Sequence, residues 1–160
     1  MAEFLLNKQA LISADDLKTT STTAVYPLGY TVKTIDENNE MREYIYVKCN
    51  VTDGVSAKDV SVIDPNFQTS APATSAYAVL GSVANIAVAK GEFYFAQIKG
   101  KTTVVSAGAT TSGHFGKMTN DAETITDASS KAAATMCEVL TTGANAGDIA
   151  VRLSGMTSEI

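Results

Sequence analysis

Gly91-Glu-Phe-Tyr-Phe-Ala-Gln-Ile-Lys-Gly100 and Gly147-Asp-Ile-Ala-Val-Arg-Leu-Ser-Gly155 decide the fold, because each carries the alternation of a β-strand between two glycines. In the second stretch Ile149, Val151 and Leu153 share one face while Ala150 and Arg152 share the other, the pattern of a strand with one buried side. In the first, Phe93, Phe95 and Gln97 alternate with Tyr94, Ala96 and Ile98, so bulk points both ways and both faces are expected to be covered. Such a strand is central in its sheet or stands in a barrel wall.

Outward from these anchors the chain keeps reading as strands and turns. Gly100-Lys101 reads as a tight turn into Thr102-Thr-Val-Val-Ser106, a hairpin. Upstream, Leu28-Gly-Tyr-Thr-Val-Lys-Thr-Ile35 and Met41-Arg-Glu-Tyr-Ile-Tyr-Val-Lys-Cys49 flank a polar turn and make a second hairpin. In its second strand Tyr44, Tyr46 and Lys48 form a wet-edged aromatic face, and Ile45, Val47 and Cys49 a dry one. Residues 53–74 read as loop around Asp64-Pro65-Asn66, and residues 75–89 lean to strand. Residues 108–116 read as turns with a bulge. Residues 126–132 are expected to be loop or a short turn of helix, with a strand from Ala134 to Leu140.

The totals restrict the class. At 160 residues the chain is one domain, long enough to bury roughly 70% of its unfolded surface. Charged residues are 18% and the net charge is −5, with Lys and Arg scattered singly, which argues against a nucleic-acid partner. No stretch approaches the ~20 apolar residues of a membrane span. Glu3 stands where a signal peptide is basic, so a soluble protein made or assembled inside a cell is expected, with no membrane partner. Cys49 and Cys137 lie in apolar or alternating segments and are expected to be buried free thiols.

The chemistry-bearing residues are few. His114 is the one histidine, so any Ser-His-Asp or Cys-His constellation has to pass through the turn Gly113-His-Phe-Gly116. Zinc-ligand spacings are absent, and Asp36, Asn38 and Asn39 serve turn chemistry better than calcium, since Met41 and Val47 stand where an EF-hand needs Gly and Glu. No catalytic residue, metal or cofactor is therefore expected. An enzyme would have to draw on His114, Asp121, Glu123 and Glu138, and a sugar-binding module on the Tyr44/Tyr46 face.

Residues 1–24 read as an arm ahead of a β domain at 25–160. Phe4-Leu5-Leu6 and Ala10-Leu11-Ile12 supply apolar anchors, Ser13-Ala-Asp-Asp16 can cap one helical turn, and Lys18-Thr-Thr-Ser-Thr-Thr23 is a polar tether. Either the anchors pack on their own domain or they dock onto a neighbouring chain.

The run Val79-Leu-Gly-Ser-Val-Ala-Asn-Ile-Ala-Val-Ala-Lys-Gly-Glu-Phe-Tyr-Phe-Ala-Gln-Ile-Lys-Gly100 resembles a pattern of the capsid decoration, or cement, proteins of tailed phages. Leu28-Gly29 with Tyr44-Ile-Tyr-Val-Lys48, and Met136-Cys-Glu-Val-Leu140 with Gly147-Asp-Ile-Ala-Val-Arg-Leu153, follow in the same order. Phe95 stands where the pattern has Trp, and residues 108–134 are looser. The resemblance implies an all-β domain, a compact β-barrel or β-tulip, commonly trimeric and without catalysis. It also implies a place on the capsid surface of a virion assembled in host cytoplasm, with the major capsid protein as partner. Phe4, Leu5, Leu6, Leu11 and Ile12 would then be the capsid-binding arm, adding a strand to a neighbour's sheet edge. A head-fibre base, tail component or minor shell protein is the alternative.

Overall fold

A computed structural model describes residues 12–35, 38–72, 80–119, 123–132 and 134–155. Ten strands carry the described chain: β1 (Thr31–Ile35), β2 (Met41–Cys49), β3 (Val60–Ile63), β4 (Gln68–Ser70), β5 (Leu80–Val83), β6 (Phe93–Ser106), β7 (Phe115–Met118), β8 (Ile125–Ala128), β9 (Thr135–Val139) and β10 (Gly147–Ser154). The helical content of the described residues is one 3-10 turn, Asp16–Lys18. The expected all-β class is what folds.

All ten strands belong to one sheet ordered β1-β2-β4-β3-β5-β6-β10-β9-β7-β8, with β2 also on β6 and β6 also on β8. Strand neighbours therefore form two circuits that share β6. One runs β2-β4-β3-β5-β6 and the other β6-β10-β9-β7-β8. The register shows how one strand serves both: Lys99 faces Glu43 of β2 on one edge and Ser154 of β10 on the other. The β6–β10 ladder is continuous from Gly147↔Ser106 to Ser154↔Lys99. Each circuit is completed by a single pair, Val83↔Gln97 in the first and Ser106↔Ile125 in the second. β1 stands outside both, and among the described residues its one strand partner is β2.

Side-chain alternation sorts the apolar residues into three clusters. Ile45, Val47 and Cys49 of β2 meet Tyr94, Ala96 and Ile98 of β6 in a first core. Val104, Met118, Ile125, Met136, Val139, Ile149, Val151 and Leu153 form a second. The β3–β5 pair is the wall between them, since Val60 and Val83 face the second core while Ile63 faces the first. Ser61 and Ser82 lie opposite each other in that wall, fully buried, and their hydroxyls bond at 2.9 Å. Tyr44, Tyr46 and Phe95, on the opposite faces of β2 and β6, join Leu17 in the third cluster.

Several expectations are borne out. β10 buries Ile149, Val151 and Leu153 and exposes Arg152, β1 and β2 form the upstream hairpin, and Cys49 and Cys137 are free and buried. Burial pushes the Cys137 thiol up to about 12, so it is protonated and inert at neutral pH.

Other expectations are corrected. Residues 53–74 are not all loop: they hold β3 and β4. Residues 126–128 are neither loop nor helix, because Ile125–Ala128 is strand β8, while residues 129–132 are loop as expected. Gly100-Lys101 is no turn, for β6 runs straight through it. Gly100 has φ +90°, and a Cβ there would strike the Met41 carbonyl oxygen, so glycine is needed for close backbone approach beside the bulge in β6 at Ile98, between the pairs Glu43↔Lys99 and Tyr44↔Gln97. The Tyr44/Tyr46 face is not wet: Tyr44 and Tyr46 are buried.

Candidate docking face

Residues 12–30 cover that aromatic face. Ser13 N–H donates to Asp16 Oδ2 at 2.7 Å and Asp16 N–H to Ser13 Oγ at 3.3 Å, a reciprocal cap that starts the 3-10 turn and sets Leu17 into the aromatic cluster. Burying such a leucine contributes about 1.5–3 kcal/mol. Further on, Ser21 and Phe93 exchange backbone bonds of 3.0 and 2.8 Å, and Val25 N–H donates to Tyr46 Oη at 3.1 Å. Tyr26 then meets Tyr46 edge-on and Phe95 tilted, each with centroids 5.3 Å apart. Such pairs add about 0.5–1.5 kcal/mol beyond their buried area. Burial, followed by the charge of Asp16, raises the Tyr26 pKa, so the phenol stays neutral.

Beside this cover the molecule leaves an edge and a groove. Tyr46 N–H donates to Tyr30 O at 2.8 Å, so in the alternation of an antiparallel ladder Val32 and Thr34 also bond β2. The backbone groups of Thr31, Lys33 and Ile35 consequently point to the outer edge of β1, where no strand lies among the described residues. A groove of about 580 Å³ runs between residues 12–18 and the β1–β2 hairpin, lined by Ile12, Leu17, Val32, Ile35 and Tyr44 among others. Ile35 and Met41, paired at the hairpin end, are 66% and 60% exposed. An apolar groove next to an open strand edge can take an extended apolar segment, with main-chain bonds for affinity and side-chain pockets for register.

Of the arm residues, Ile12 packs against the aromatic cluster and lines the groove, while Phe4, Leu5, Leu6 and Leu11 lie outside the described residues. Leu17, Tyr26 and Tyr30 were not singled out by sequence reasoning. The one signal for them is Tyr26-Pro27-Leu28-Gly29-Tyr30, two aromatics on a Pro/Gly turn just before a strand.

The other polar candidates do not converge. His114 Nδ1 lies 2.7 Å from Asp127 Oδ2, and Thr111 N–H donates to Asp127 Oδ1 at 3.1 Å. Burial pulls the Asp127 carboxyl upward, but the bonds from His114 and Thr111 prevail and hold it below its usual value. Ser112 Oγ spends its hydrogen on Leu140 O at 3.0 Å. Glu138 turns instead to Arg152, at 3.3 Å. Asp121 lies outside the described residues. No group of three or more His, Cys, Asp or Glu gathers as a metal site among the described residues. These contacts tie β7 to β8 and β9 to β10.

Neither a protein-family model nor a curated protein matches the sequence. A likeness appears in the fold. The chain is similar to the head fiber gp8.5 N base of bacteriophage phi29. The TM-score is 0.51 at 11% identity, covering 73% of this chain and 99% of that one. Nearly the whole of that base is thus matched within about three-quarters of the present chain. At such identity the likeness is one of fold.

Proposed function

We propose that this protein is a structural component of a phage virion, attached to the outside of the head through the major capsid protein. The observation that carries the reading is the likeness to the phi29 head-fibre base over 99% of that chain. The order of sequence motifs that resembles that of capsid decoration proteins supports it, and so does a β1 outer edge with no neighbouring strand among the described residues, beside an apolar groove. In its finer form the protein is a homotrimer that bridges capsid subunits with Phe4, Leu5 and Leu6. Three weak contacts on one body gain effective concentration from the lattice and hold as a clamp. A second form, favoured by the fold likeness, is the base of a head fibre, which needs firm attachment but no bridging.

The test adds the purified chain to heads assembled without it. Density on the outer shell at defined positions is expected, with a trimeric mass in solution. A cement raises the temperature at which the shell opens, because a ligand of the intact state stabilises it by mass action. A fibre base binds and leaves that temperature unchanged. No binding at micromolar concentration would sink the virion reading.

A further inference from the structure

Ile12 lines two clefts at once, the 580 Å³ groove and a second of about 460 Å³ beside Tyr30, Val32 and Lys33. The described residues therefore begin at the lip of an apolar groove that borders the β1 edge, where no strand lies among the described residues. Eleven residues precede Ile12, and they contain Phe4-Leu5-Leu6 followed by the polar Asn7-Lys8-Gln9. We propose that the segment preceding Ile12 in the same chain is the occupant of this groove, with the apolar side chains of Phe4, Leu5 and Leu6 taken up by Leu17, Val32, Ile35 and Tyr44.

Three observations support a tethered occupant. Leu6 is six residues from Ile12, which keeps it within about 20 Å of the groove at ~3.3 Å per residue. A covalent tether this short gives an effective concentration in the millimolar range, which a second copy at micromolar concentration does not match. The groove's surface also suits the segment: it is mainly apolar, it leaves Ile35 largely in water, and Lys18 on its rim is complementary to Glu3 beside Phe4.

The inference concerns the isolated protein and stands apart from the virion reading. If both hold, the apolar anchors have two alternative seats, and the head must draw them from the groove. Apparent affinity for the head is then reduced by the fraction of chains with the segment released.

The experiment uses the full chain with Leu5→Cys and Thr34→Cys, oxidised by copper phenanthroline without capsids. Cys49 and Cys137 are buried and give little background. An intrachain disulfide in a monomer, formed at least ten-fold faster than in a Leu5→Cys/Ser130→Cys control, is expected. A rate equal to the control overturns the proposal. Faster cross-linking between two chains also overturns it, and assigns the groove to a second copy.

Discussion

The two cores on either side of the β3–β5 wall are made of different materials. The second is aliphatic, with Val104, Met118, Ile125, Val139 and Val151 fully buried, and hydroxyls such as Ser106 and Ser154 near it bond main-chain carbonyls. The first mixes aliphatics with a knot of hydroxyls: Ser61 and Ser82 bond each other, and Thr69 and Tyr94 lie close by. Burial drives the Tyr94 pKa up although Thr69 and Ser61 draw it down, yet neither completes a hydrogen bond of good geometry with Tyr94 Oη. Stability in the second core is thus a matter of volume, and in the first a matter of polar pairing.

The sharpest way to break this contrast is Ile125→Ala, which opens a cavity in the dry core and should cost about 2–5 kcal/mol in denaturant unfolding. A loss under 1 kcal/mol would mean that this core is loosely packed. Next comes Gly116→Ala. The added Cβ would collide with Cys137 Sγ and Ile125 Cδ1, and overpacking should cost about 1–3 kcal/mol. An unchanged melting temperature would show that the second core yields.

In the first core the expected effects split by chemistry. Ser61→Ala leaves Ser82 without its side-chain partner and should cost about 1 kcal/mol, whereas Tyr94→Phe removes a hydroxyl lacking a good bond and should be close to neutral. Equal losses from the two would dissolve the distinction. Smallest is Asp127→Asn on the rim of the second circuit. Because the folded carboxyl titrates below its unfolded value of about 4, its stabilisation is present above that pH and lost as pH falls through the lower folded value. The variant should show a flatter decline of stability below about pH 4 than the parent. Parallel acid limbs would contradict the lowered pKa.

Legibility in the sequence follows the same division. β10 and β2 could be read because Ile149, Val151 and Leu153, or Ile45, Val47 and Cys49, alternate over a long run with one dry face. β3 hid because its buried face carries Ser61, whose polarity is answered only by Ser82 twenty-one residues away. β4, at three residues, is too short for any period to register. β6 was broken at Gly100 because a glycine needed for close approach to Met41 looks the same in sequence as one needed for a turn. The docking face was half legible: Ile12 and the Ser13/Asp16 cap beside the groove could be seen. The burial of Tyr44 and Tyr46 could not, since residues 19–24 announce nothing of the surface they cross.

The sharing of β6 by both circuits sets how the domain would carry a load. Force entering through β2 passes along β6 into the continuous β10 ladder, whose bonds between Lys99 and Ser106 lie across the direction of pull and must yield together in shear. The single-pair closures at Val83↔Gln97 and Ser106↔Ile125 lie off that path. A strand that spans both halves makes them one mechanical element, suited to a part that must hold its shape while tension is transmitted through it.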